Sequence, residues 1–139
     1  MNSVVLNDIS IQDLNLVCKE IESRICGKNH IVFLLQGDIG AGKTTLIKQY
    51  AKFINLNDMV TSPTFSLLHQ YGDNFFHYDL YNRKLKDLLE IGILDLLGKD
   101  GIHFVEWGSD ELGNIIKDAY ENIFFIQITK THNRNYKFI

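Results

Sequence analysis

The sequence predicts an α/β fold, a three-layer core around a mixed sheet with antiparallel additions. Three observations predict it. His30–Leu35 is a continuous apolar run bounded by polar and glycine residues, the pattern of a strand buried on both faces. A glycine-rich turn follows it and leads into an amphipathic helix. Beyond this strand–helix alternation the chain reads as pairs of strands, which adds antiparallel pieces to a parallel centre.

Taken in order, Val4-Val5-Leu6 reads as a short edge strand. Ser10 starts a helix, with Asp13 three residues on in a capping-box pattern. Ile11, Leu14, Cys18, Ile21 and Ile25 form one apolar stripe, and Gly27 stops the helix. A second helix runs from near Gly42 to about Ile54, with Leu46, Tyr50, Phe53 and Ile54 on one face. Thr64–Tyr71 and Phe75–Tyr78 read as strands joined by a turn at Gly72-Asp73-Asn74. Lys84–Leu97 is helical and broken at Gly92. Ile102–Val105 is another buried strand. After Glu111-Leu112 come two final strands, Ile123–Thr129 and Tyr136–Ile139, around a polar turn at Thr131–Asn135.

The 139 residues fit one domain, read as 1–139, and 45% are apolar, enough for a core without staples. A net charge of −3 argues against a nucleic-acid binder acting alone, since such proteins carry a basic stripe. Cys18 and Cys26, both in the first predicted helix, are too far apart to pair and read as small buried hydrophobes. Without a basic-then-apolar start or a long apolar stretch, the expected location is the cytoplasm, with no membrane partner.

Gly37-Asp38-Ile39-Gly40-Ala41-Gly42-Lys43-Thr44 matches G-x-x-x-x-G-K-[ST]. The glycines let the backbone turn tightly and approach an anion. Its N–H groups converge on phosphates at a helix N-terminus, and Thr45 extends this cradle. Lys43 supplies a point charge for the outer phosphates, and the Thr44 hydroxyl suits Mg²⁺, which prefers hard oxygens. A chance match in a chain of this length has a probability of roughly half a per cent. The core is therefore expected to be of the P-loop NTPase type.

The loop indicates a nucleotide but leaves the task open. Thr61-Ser62-Pro63-Thr64-Phe65 fits either a switch-like segment or a plain helix-to-strand turn. His77 and Asp79 share a face of a strand, where an acid can hold metal-bound water or orient an attacking water. Glu106 directly follows a buried strand, the place of a Walker B carboxylate. Trp107 either packs near the site or fills core. Arg134 lies in the last polar turn, within reach of a nucleotide or simply in solvent.

The phosphate loop, Ser62-Pro63-Thr64-Phe65, His77-Tyr78-Asp79-Leu80-Tyr81, Glu90-Ile91-Gly92-Ile93 and Val105-Glu106-Trp107, in this order and spacing, resemble the bacterial TsaE (YjeE) family. The resemblance runs from about Leu6 to Arg134. It implies a small ATPase that binds ATP or ADP with Mg²⁺. It further implies a role in the threonylcarbamoyladenosine modification at position 37 of tRNAs reading ANN codons. The implied partners are TsaB and TsaD, which assemble the transferring enzyme, so tRNA is met indirectly. Thr44 and Glu106 would be Mg²⁺ ligands, Lys43 a phosphate ligand and Asp79 an essential acid. Thr64 would sit in the switch-like segment, with Trp107 and Arg134 near the nucleotide. Two positions depart from the family pattern: Gly108 stands where the family usually has proline, and Asn82 precedes Arg83 where arginine usually follows Asp-Leu-Tyr directly.

Two other classes share the loop. A small-molecule kinase needs an arginine-bearing lid, and this chain has only Arg24, Arg83 and Arg134. A GTP-dependent switch would use Asp95-Leu-Leu-Gly98, but that lies in an apolar helical pattern, and no Asn-Lys-x-Asp follows.

Overall fold

The computed structural model describes residues 3–56 and 67–139. Its elements in chain order are β1 (Val4–Ile9), a 3-10 turn (Ile11–Asp13), α1 (Asn15–Ile25), β2 (His30–Gln36), α2 (Lys43–Phe53), β3 (Leu68–Tyr71), β4 (Phe75–Asp79), α3 (Leu85–Glu90), α4 (Ile93–Leu97), β5 (Gly101–Glu106), α5 (Asp110–Ala119), β6 (Ile123–Lys130) and β7 (Arg134–Phe138).

The strands form one seven-stranded sheet in the order β1-β7-β6-β2-β5-β4-β3. The four central strands, β6, β2, β5 and β4, run parallel. β3 is added antiparallel at one edge, and β7 and β1 at the other. The expected mixed sheet with antiparallel additions is therefore present.

Alternation along β2 explains the layers. Ile31, Phe33 and Leu35 point into a core with Val17, Ile21, Leu46 and Tyr50 of α1 and α2. Val32 and Leu34 point the other way, into a core with Leu88, Leu97 and Ile116 of α3, α4 and α5. Each fully buried leucine, isoleucine or phenylalanine adds roughly 1.5–3 kcal/mol of burial. Both faces of β2 are dry, so its two ends are where polar chemistry meets water. The carboxyl ends of β2, β4 and β5 lie side by side and carry the candidate site.

Several local expectations are corrected. Ser10 does not cap α1: its hydroxyl donates to the Asp13 carboxylate at 3.1 Å, and the 3-10 turn comes first. Ile11 lies outside the stripe, 65% exposed, while Val17 inside it is buried. Cys18 is buried as expected, but Cys26 is exposed because it closes the helix rather than belonging to its face. β1 extends three residues past Leu6 to Ile9, and Arg134 opens β7 instead of lying in the turn. The reading of residues 64–66 as strand lies outside the described residues.

Helix α5 lies where the sequence pattern shows no element. Ser109 caps it by accepting from the Leu112 N–H at 3.1 Å, with Asp110 and Glu111 in the first turn. The reason for a glycine at position 113 inside this helix is tertiary. A Cβ there would stand 2.3 Å from Phe125 Cζ and 3.1 Å from Leu34 Cδ1, so glycine lets the helix lie close on the sheet.

Candidate functional site

The β2–α2 connection delivers the phosphate loop. Gly42 caps α2 at φ +107°, a left-handed conformation that side chains other than glycine rarely adopt. Lys43 then starts the helix, whose first backbone N–H groups lack intrahelical acceptors and face the loop. The ammonium of Lys43 donates to the loop's own Gly37 O at 2.6 Å and Asp38 O at 3.0 Å. It also lies 3.9 Å from the centre of the Trp107 ring. Burial pulls this ammonium below the usual lysine value, against the pull of Glu106, Asp38 and Asp79.

Glu106 ends β5, and Thr44 is the second residue of α2. The Thr44 hydroxyl is 2.7 Å from Glu106 Oε1 and 2.8 Å from Oε2. Burial alone would push the Glu106 carboxyl up. Its bonds to His77 and Thr44, with the charges of His77 and Lys43, bring it below the usual glutamate value. The group therefore stays an anion in a nearly dry place.

Asp79 stands beside Glu106 in the β4–β5 register and is exposed. Its Oδ1 accepts from the Tyr81 N–H at 3.0 Å, which starts the turn after β4. Trp107 has φ +62°, uncommon for a bulky residue. That conformation turns its ring over Lys43, with Tyr81 edge-on at 4.9 Å.

These groups line one cleft of about 500 Å³, formed by Ile39, Gly40, Gly42, Lys43, Thr44, Thr45, Asp79, Tyr81, Glu106, Trp107 and Arg134. Most of the sequence-predicted site residues are brought together there. Gly37, Asp38 and Ala41 are not in its wall. A Cβ on Gly37 would come within 2.7 Å of Ile128 O, so packing against β6 also calls for glycine there. Thr64 lies outside the described residues. Arg134, in the cleft wall, braces the loop: Nε donates to Ala41 O at 2.8 Å and Nη2 reaches Gly40 O at 3.4 Å.

A family model described as threonylcarbamoyl adenosine biosynthesis protein TsaE matches residues 10–136. The chain belongs to the TsaE family. A Bacillus subtilis relative named tRNA threonylcarbamoyladenosine biosynthesis protein TsaE is 32% identical over 114 residues, covering 74% of this chain and 72% of that protein. A Haemophilus influenzae protein of the same name is 36% identical over 98 residues, covering 68% of this chain and 62% of the relative. In fold, the chain resembles the crystal structure of Bacillus subtilis YdiB with a TM-score of 0.68 at 24% identity, over 99% of this chain and 84% of that one. Membership in TsaE makes the chain a P-loop nucleotide-binding protein of a tRNA-modification family. No helix among the described residues is long and apolar enough to cross a membrane.

The two departures from the TsaE pattern have local settings. A Cβ on Gly108 would meet Leu34 Cδ2 at 2.5 Å. Asn82 takes φ +58°, which asparagine tolerates, and Arg83 follows it in an exposed turn.

Sequence reasoning missed His77 as a site residue. It is buried in β4, and its Nε2 lies 2.5 Å from Glu106 Oε2. The signal was the spacing of His77 and Asp79, which puts both on the face that looks at Glu106.

Proposed function

We propose that the chain is a single ATPase domain that binds ATP with Mg²⁺ and serves the threonylcarbamoyladenosine modification at position 37 of tRNA. The observation that carries this reading is the Thr44–Glu106 contact of 2.7 Å beside the Lys43 loop. The donor set fits: hydroxyl and carboxylate oxygens are the ligands Mg²⁺ takes, and Thr44, Asp79 and Glu106 bring them to the cleft wall. Lys43 and the helix N-terminus supply the anion-binding half.

Bound Mg²⁺ would neutralise charge on the β- and γ-phosphate oxygens. Thr44 and Glu106 hold the cation. Lys43 leaves the loop carbonyls and binds the outer phosphates. Asp79 orients the attacking water. Trp107 keeps the Lys43 ammonium over the loop. Among the described residues Arg134 is the single arginine in the cleft wall, and it is engaged with the loop carbonyls. The protein alone is therefore a slow ATPase, and a partner completes the site.

The partners are TsaB and TsaD, in the cytoplasm, with tRNA met through that complex. The chain hydrolyses ATP to cycle their assembly while another protein performs the chemistry on tRNA. The test is a pull-down with purified TsaB–TsaD in ATP, ADP and no nucleotide, with ATPase rates measured alongside. Nucleotide-dependent association and a rate increase of at least about tenfold are expected. Neither association nor stimulation would defeat the partner assignment. Phosphate transfer to a small metabolite without partners would replace it with a kinase.

A further inference from the structure

Among the described residues, Glu106 has two side-chain hydrogen-bond partners, and they act differently. Thr44 approaches both carboxylate oxygens almost equally, at 2.7 and 2.8 Å. A symmetric contact does not fix the twist of a glutamate carboxylate, whose last torsion is broad. His77 reaches only Oε2, at 2.5 Å. Its bond breaks the symmetry: Oε2 is committed, and Oε1 retains the Thr44 contact alone.

The scaffold suits this task. His77 is in the middle of β4, opposite Phe104 of β5, and so reaches diagonally to Glu106 two residues further on. On its other side it pairs in register with His69 of β3, ring centres 5.8 Å apart. The His77 and Glu106 side chains are 7% and 6% exposed, so water competes poorly for the bond. A carboxylate only accepts, which puts the His77 proton on Nε2.

We propose that His77 is a positioning residue whose Nε2–H fixes the twist of the Glu106 carboxylate and thereby directs Oε1 toward a divalent cation in the cleft. This rests on the cation-binding reading of Thr44 and Glu106 given above. His77 touches neither nucleotide nor cation. It acts through Glu106, as outer-shell partners of metal ligands do.

The test uses Trp107, the one tryptophan of the chain, as a fluorescent reporter inside the cleft. ATP is titrated at a series of Mg²⁺ concentrations, and separately in EDTA, into the wild type, His77→Phe, His77→Gln and His77→Asn. Circular dichroism and thermal melting establish which variants fold. His77→Phe is expected to need about tenfold or more Mg²⁺ for the half-maximal response, with ATP affinity in EDTA unchanged. His77→Gln, whose amide nitrogen extends to about the Nε2 position, recovers most of the wild-type requirement. His77→Asn, whose amide stops near the Nδ1 position, behaves like the phenylalanine variant and carries the test if that variant does not fold. A folded Phe or Asn variant with the wild-type Mg²⁺ requirement overturns the proposal alone. A wild-type ATP response that ignores Mg²⁺ overturns the cation reading, and the proposal with it.

Discussion

Two histidines on adjacent strands, His77 of β4 and His103 of β5, are both buried, yet their surroundings lead to opposite roles. His77 donates to a carboxylate at the rim of the cleft. His103 donates from Nε2 to Lys99 O at 2.6 Å, and its Nδ1 accepts from the Tyr78 hydroxyl at 2.8 Å. His30 similarly donates to Leu97 O at 2.6 Å. At the His103 end of the sheet the polar groups satisfy one another and tie down the end of α4. At the His77 end they converge on a space that is open. Burial of a titratable residue is thus no sign of function by itself; what its partner is free to do decides.

The sharpest way to break this contrast is to neutralise the open end. Glu106→Gln is expected to lower ATP turnover by about 100-fold or more, comparable to losing a key electrostatic group, with little loss of thermal stability. Steady-state kinetics and melting curves check it. A large stability loss with turnover retained would place Glu106 with the structural histidine instead.

The closed end should answer to acid. Burial holds His103 at a pKa of about 4, against the usual 6.5, and the nearby His30 and Lys99 charges push in the same direction. Between those values the unfolded chain binds a proton that the folded state refuses. Stability is therefore full above about pH 6.5 and falls as pH drops toward 4, by roughly 3 kcal/mol from this group. Urea midpoints from pH 7 to pH 4 measure the slope, and His103→Gln should flatten it. An unchanged slope in that variant would assign the acid sensitivity to other groups.

A smaller effect sharpens the same contrast. Tyr78→Phe removes the hydroxyl from His103 and should cost about 1–2 kcal/mol, leaving ATP affinity unchanged. Chemical unfolding and ATP titration read the two outcomes separately.

What the sequence made legible was local. The β2 run, the loop and the acid after β5 are each contained in a few consecutive residues, so their physics can be read directly from pattern. The mixed sheet was readable for the same reason. α5 was hidden because Gly113-Asn114 interrupts its apolar spacing, and the reason for Gly113 is Phe125 on another element. The sequence shows His77 only beside Asp79, because its partner Glu106 lies 29 residues away. Arg134 is in the cleft wall, and its brace on Ala41, which no local pattern announces, spans 93 residues and depends on β7 lying beside β6. Bonds that the fold makes between distant elements leave no periodicity to find.

The central claim is that the cleft around Lys43, Thr44 and Glu106 binds a nucleoside triphosphate together with Mg²⁺. Isothermal titration of ATP into the wild type and Lys43→Ala, each with Mg²⁺ and with EDTA, tests it most directly. The account predicts one saturable site in the wild type, tightened by Mg²⁺ and weakened by about 100-fold or more in Lys43→Ala, the cost of leaving phosphate charge uncompensated. Wild-type binding that is absent, or that survives Lys43→Ala undiminished, would contradict it.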